Sequence, residues 1–141
     1  MINAICDAEI FDEVYITTHV NSLDEIYAKQ EFFGTYLPKV KVFTIPFLDA
    51  PYDDNKDNYY ENFNRQRTNK PVEFFKATGH DPEYTTFIDD GKSICAQATE
   101  LGATAYHCES DKVEPLLVFQ QMLADLGVRL NLGDSKKMTL F

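Results

Sequence analysis

Tyr84-Thr85-Thr86-Phe87-Ile88-Asp89-Asp90-Gly91 is the stretch on which the architecture turns. Thr85 to Ile88 are all β-branched or aromatic, the side chains that pack well on a pleated, half-buried surface. A strand over Tyr84 to Ile88 is therefore expected, ending in an acidic pair and a glycine. Ser93 to Leu101 follows with helical spacing, closed by Gly102 as a left-handed cap. Ala103 to His107 supplies a further strand. A last helix is expected from Glu114 to Leu126, with Pro115 in its first turn and Gly127 as its stop.

The same rhythm extends upstream. Pro71 opens a helix carrying Val72, Phe74 and Phe75, which ends at Gly79. Val14 to Thr18 and Val40 to Ile45 read as strands. Between them Ser22-Leu23-Asp24-Glu25 forms a capping box, opening a helix through Ile26, Phe33 and Leu37 that Pro38 stops. Ile2 to Phe11 fits a buried helical face. Residues 46 to 69, with Pro46, Pro51, several Asp and Asn, and Tyr52, Tyr59, Tyr60 and Phe63, exceed the usual 2–6 residues of such loops. They read as a solvated excursion with aromatic anchors, or as a lid or partner-binding loop. The order β-α-β-(long loop)-α-β-α-β-α implies a parallel sheet with helices on both faces. One domain is expected over 1–127, followed by a polar tail over 128–141 whose end, Met138-Thr139-Leu140-Phe141, is apolar.

Composition narrows the function. At 141 residues and 44% apolar side chains the chain has enough for one packed core. Thirteen basic and twenty-three acidic residues give a net charge of -10, which repels nucleic-acid backbones and anionic membranes. Neither is expected as a partner. A phosphate ligand would need a local positive feature: a metal, a lysine or a helix amino terminus. Cys6, Cys95 and Cys108 lack metal-ligand spacing and read as buried thiols in a reducing compartment. No apolar run approaches the ~20 residues of a membrane span, and no signal-peptide pattern opens the chain. A cytoplasmic location is expected. His19, His80 and His107 show no nucleophile-base pairing. There is no glycine-rich phosphate cradle, Ser-His-Asp pattern or zinc spacing.

In parallel sheets ligands bind beyond the carboxyl ends of the strands. Thr17, Thr18 and His19, then Asp89 and Asp90, then His107 and Cys108 fall there. Two adjacent carboxylates repel by roughly 1 kcal/mol in water and about 4 kcal/mol at an effective dielectric of 20. Mg²⁺ would relieve that, as a hard ion taking one or two protein carboxylates, waters and phosphate oxygens. Alternatively, Asp90 caps the next helix while Asp89 is solvated. Thr18 offers a hydroxyl for a phosphate oxygen, or is simply a strand residue. Lys70 is a cation at a helix amino terminus, unfavourable there unless an anion lies close, though tolerable if exposed.

Val14-Tyr-Ile-Thr-Thr18, Lys70-Pro71-Val-Glu-Phe-Phe75, Thr86-Phe-Ile-Asp89-Asp90 and the Leu101-Gly102 turn, in this order, resemble the haloacid dehalogenase-like (HAD) superfamily of phosphohydrolases. The resemblance covers residues 13 to about 126 and the second, third and fourth motifs of that family. It implies an incomplete Rossmann-like, three-layer α/β/α core with a parallel sheet of four to five strands. It also implies Mg²⁺-dependent phosphoryl transfer to an aspartate followed by hydrolysis. Thr18 and Lys70 would hold the phosphate, and Asp89 and Asp90 the metal.

The family's first motif, a strand followed by Asp-x-Asp, has one counterpart here, Asp7-Ala8-Glu9. Five residues separate Asp7 from Glu13, too few for a parallel crossover of about a dozen. Asp7 and Glu9 are therefore expected on a helix surface, and a catalytic nucleophile is absent. The missing strand would be central, with four or five apolar side chains worth ~1.5–3 kcal/mol each. That approaches the whole stability of a domain, ~5–15 kcal/mol. Three repairs present themselves: direct pairing of the Val14 and Tyr84 strands, insertion of a tail strand over Lys137 to Phe141 (within one chain or swapped in a homodimer), or a complementing segment outside this chain. Functionally, the expectations are a truncated or inactive HAD-like scaffold, an active phosphatase completed by another segment or chain, or a receiver-like signalling domain. Chain order disfavours the last, because receivers carry their acidic pair on the first strand. A small phosphorylated ligand suits all three.

Overall fold

The computed structural model describes residues 1–20, 23–46, 69–109 and 114–132. Among these residues nine regular elements and one 3-10 turn follow in order: α1 (Ile2–Asp7), β1 (Tyr15–Val20), α2 (Leu23–Tyr36), β2 (Lys41–Pro46), α3 (Lys70–Thr78), a 3-10 turn (Pro82–Tyr84), β3 (Thr86–Asp89), α4 (Lys92–Glu100), β4 (Thr104–His107) and α5 (Pro115–Asp125). Ser22 of the capping box, residues 47–68 of the long connection and the tail strand over Lys137 to Phe141 lie outside the described residues.

The chain is mixed α/β with short parallel strands, but the strands do not form the one sheet of four to five that was expected. β1 pairs with β2 from Tyr15↔Lys41 to Val20↔Pro46, and β3 with β4 from Thr86↔Thr104 to Asp89↔His107, each pair parallel. Among the described residues no strand pairing joins β1 to β3, so direct pairing of the Val14 and Tyr84 strands does not occur. Side chains, instead, join the two sheets. Phe74 of α3 sets its ring against Tyr15 and Phe43 of the first sheet, at 5.0 and 5.6 Å, and against Phe87 of the second at 5.6 Å. Burial of side chains under a shared helix, rather than a backbone ladder, holds the sheets in one core.

The period-2 alternation of strands is visible in β3 and β4. Phe87 and Ala105 face a core made by Phe74, Ala98 and Ala103. Ile88 and Tyr106 face the opposite core, made by Ile5, Leu116, Met122, Leu123 and Leu132. Helices α3 and α4 thus cover one face and α1 and α5 the other, a three-layer arrangement around β3 and β4. Past Gly127 the chain stays on this core, where Leu132 is buried and Val128 and Leu130 pack beside it.

Two boundaries differ from the sequence expectation. α1 ends at Asp7 rather than reaching Phe11, because Glu9 adopts a left-handed φ of 53° and turns the chain. Ile10 and Phe11 still reach the core that holds Ile5, which is why they matched a helical face. β3 starts at Thr86, because the Asp81 carboxylate accepts the Glu83 amide at 2.9 Å and winds Pro82–Tyr84 into a 3-10 turn. Gly102 closes α4 with a φ of 101°, a conformation that would strain a side chain. Among the described residues no helix is long and apolar enough to cross a membrane.

Candidate functional site

Asp89 is the last residue of β3, and its carboxylate is fixed from two directions. Oδ1 accepts the Gly91 amide at 2.8 Å, and Oδ2 accepts the Lys70 ammonium at 3.0 Å. The side chains of this pair are only 9% and 12% exposed, so the ion pair is largely withdrawn from water. The Asp89 carbonyl in turn accepts the Cys108 amide at 2.9 Å. Lys70 is the first residue of α3, where the helix dipole disfavours a cation. Its position is explained by the carboxylate it meets, and buried Pro71 behind it fixes the helix start against the core.

Gly91 is needed by close approach. A β-carbon there would stand 3.1 Å from Asp89 Oδ1 and 3.0 Å from the Ile94 Cδ1 atom. Ile94 is fully buried and cannot withdraw, so a larger residue would displace the carboxylate. The Asp-Asp-Gly sequence thus builds an acid held by its own turn and capped by a lysine.

Asp90 is exposed, and its backbone carbonyl accepts His107 Nε2 at 2.9 Å from the end of β4. Thr18 lies on the other sheet. Its hydroxyl oxygen accepts the Lys29 ammonium at 2.6 Å, and the same ammonium donates to the His19 carbonyl at 2.8 Å and meets Glu25 Oε1 at 3.1 Å. The structure therefore brings Lys70 and Asp89 into contact, with Asp90 beside them in the chain, and engages Thr18 with Lys29. Lys29 was not singled out from the sequence. Its spacing of four residues from Glu25 announces only a helix-surface pair, not a reach back to β1.

Among the described residues no group of three His, Cys, Asp or Glu side chains could hold a metal ion. Mg²⁺ demands a near-octahedral oxygen shell, usually with one or two carboxylates. Of the acidic pair, Asp89 already neutralises Lys70 and binds its own turn. Any magnesium site here would have these two carboxylates to draw on, with Asp89 Oδ2 shared with Lys70.

Of the two acids expected on a helix surface, Asp7 lies at the end of α1, whereas Glu9 lies past it in the left-handed turn. Asp7 Oδ1 meets the Lys39 ammonium at 2.6 Å on the surface. Two thiols lie near the acidic pair: burial, with Asp89 adding, pushes the Cys95 thiol up, and burial, with Asp90 adding, does the same for Cys108. A raised thiol pKa disfavours the thiolate, which is the nucleophilic form.

A second polar cluster ties the first sheet to the turn after α3. Glu13 accepts from Lys41, from the Tyr15 hydroxyl and, at 2.6 Å, from His80 Nε2. Those three hydrogen bonds, Lys41 first, hold the Glu13 carboxyl down from 4.5 to about 2. The Glu13 carboxylate in turn pushes the Tyr15 phenol up to about 12. His80, which the sequence pairs with no other residue, is part of this tie. Because the folded form lowers the Glu13 pKa, its contribution to stability is present above pH 4.5 and disappears as pH falls through about 2. Glu13→Gln should lower the thermal midpoint at pH 7, while variant and parent should converge toward pH 2, as followed by circular dichroism at a series of pH values.

No family model matches the chain, and no curated protein does. Solved structures that match include a HAD family enzyme, bt-2542, from Bacteroides thetaiotaomicron, both as wild type and as an aspartate-to-alanine mutant, each in complex with magnesium and inorganic phosphate. The chain is 21% identical to the mutant and 20% to the wild type, with a TM-score of 0.35 for both. The matches cover 64% of this chain and 57% and 56% of those chains, so it spans little more than half their length.

Proposed function

We propose that this chain is a HAD-like phosphohydrolase scaffold that takes a small phosphorylated ligand at the carboxyl ends of β1 and β3 and, in this form, does not hydrolyse it. The observation that carries the reading is the Lys70–Asp89 pair, a withdrawn cation and carboxylate at a strand end, from the two motifs the sequence singled out. Phosphate binding would use the Lys70 ammonium, drawn from Asp89 toward the incoming anion, together with the Thr18 hydroxyl. Asp89 and Asp90 would offer at most a partial shell to Mg²⁺. Hydrolysis would lack its nucleophile, because Asp7 ends α1 on the surface and pairs with Lys39 there.

The test is turnover of p-nitrophenyl phosphate by the purified chain with Mg²⁺. A rate equal to that of the Asp89→Asn variant is expected. Turnover that Asp89→Asn abolishes would overturn this reading. It would favour a second one, a working phosphatase completed by a further segment or a second chain. One observation supports that alternative: among the described strands, β1 and β3 each have a single pairing partner, leaving one edge of each ladder for another strand.

A further inference from the structure

We infer that Lys29 is a further phosphate-binding residue, which holds the Thr18 hydroxyl as a donor and contributes its own ammonium to the same anion. The inference rests on the reading of Thr18 given above and extends it to a residue on a different element.

An ammonium has three N–H donors, and Lys29 uses three acceptors: Thr18 Oγ1 at 2.6 Å, the His19 carbonyl at 2.8 Å and Glu25 Oε1 at 3.1 Å. Two of these belong to the carboxyl end of β1, so the lysine reaches back from α2 across the rim of the first sheet. A threonine hydroxyl has one O–H and two lone pairs. With the ammonium on a lone pair, the O–H must point elsewhere. Among the described residues it meets the His19 carbonyl at 3.5 Å, long for an O–H donor. A phosphate oxygen beyond β1 would be a better acceptor, and it would arrive with a cation directly behind the hydroxyl.

Charge gives the arrangement its purpose. The chain carries -10, so an anion approaches against a repulsive field unless local cations offset it. Lys29 is 30% exposed, open enough to reach an arriving oxygen. Its third partner, Glu25, is an i,i+4 neighbour at 33% exposure, a pairing of little strength in water. Exchanging the Glu25 carboxylate for a phosphate oxygen therefore costs little, while the Thr18 and His19 contacts keep the ammonium in place. Glu25 acts as a stand-in anion that positions Lys29 before the ligand arrives.

The experiment is isothermal titration of inorganic phosphate into the wild-type chain and into Lys29→Gln, Lys29→Arg, Thr18→Val and Glu25→Gln. Lys29→Gln should weaken binding about tenfold or more with an unchanged melting temperature, and Lys29→Arg should recover part of it. Thr18→Val should weaken binding comparably, and Glu25→Gln should tighten it. Weaker binding by Thr18→Val with wild-type binding by Lys29→Gln would overturn the role of Lys29 and leave the site intact. No binding by the wild-type chain would overturn the site itself. Should Lys29→Gln fail to fold, the Lys29 side-chain resonances of the wild type decide the matter. A shift that saturates with phosphate supports the assignment, and resonances that stay still overturn it.

Discussion

Asp89→Ala is expected to cost about 3–5 kcal/mol of folding stability, read as a fall in the urea midpoint without a change in slope. The substitution leaves the Lys70 ammonium 12% exposed with its counter-ion gone, and it strips the Gly91 amide of its acceptor. A withdrawn charge left unpaired is the expensive outcome, whereas removing both charges together is far milder. The double variant Lys70→Met, Asp89→Ala should therefore be more stable than Asp89→Ala alone, and the coupling between the two positions should exceed that of an exposed pair. A loss below about 0.5 kcal/mol, the range of ordinary surface substitutions, would show that the pair is solvated and the site is not the withdrawn pocket described.

Phe74→Ala is expected to have a comparable effect, about 3–5 kcal/mol, for a different reason. Phe74 is 4% exposed, and its ring meets Tyr15, Phe43, Phe75 and Phe87 at 5.0 to 5.6 Å. Those contacts span both two-stranded sheets, which among the described residues share no strand pairing. Truncation removes apolar burial, leaves a cavity and takes away the principal contact between the halves. Against a total of ~5–15 kcal/mol, the loss should be visible as a large fall in the thermal midpoint. Phe74→Leu, which keeps most of the volume, should lose much less. Equal stability of Phe74→Ala and the parent would mean that the sheets are held together elsewhere.

Much of this arrangement was legible in the sequence because it is local. The Pro71 start and Gly79 stop of α3, the Gly102 cap of α4 and the Gly127 stop of α5 are signals within one turn of the residue they govern. The parallel pairings of β1 with β2 and β3 with β4 follow from strands separated by a helix, which leaves room for a crossover. What the sequence did not show was long-range. Whether β1 pairs with β3 depends on packing between segments far apart in the chain, and the Phe74 cluster joins them through side chains. The left-handed turn at Glu9 carries no glycine to announce it.

The candidate site divides in the same way. Asp89 with Gly91 is a turn three residues long, readable as an acidic pair before a helix, and Lys70 was readable as a cation where the dipole disfavours one. That these two meet, at 3.0 Å, is a tertiary fact resting on the angle of α3 to β3. Lys29 was missed because nothing in a lysine four residues after a glutamate says that it bends back to a strand end. Glu13 and His80 were missed because they are far apart in sequence and meet only once the first sheet and the turn after α3 are in place.

On the proposed reading, Thr18, from one sheet, and the Lys70–Asp89 pair, from the other, serve one phosphate. The most direct measurement is a titration of the isotopically labelled chain with inorganic phosphate, following the backbone amide signals of Thr18, Lys70 and Gly91 by NMR. All three are expected to move and to saturate at the same phosphate concentration. Signals of Lys70 and Gly91 that move while Thr18 stays fixed, or three that never move, would contradict it.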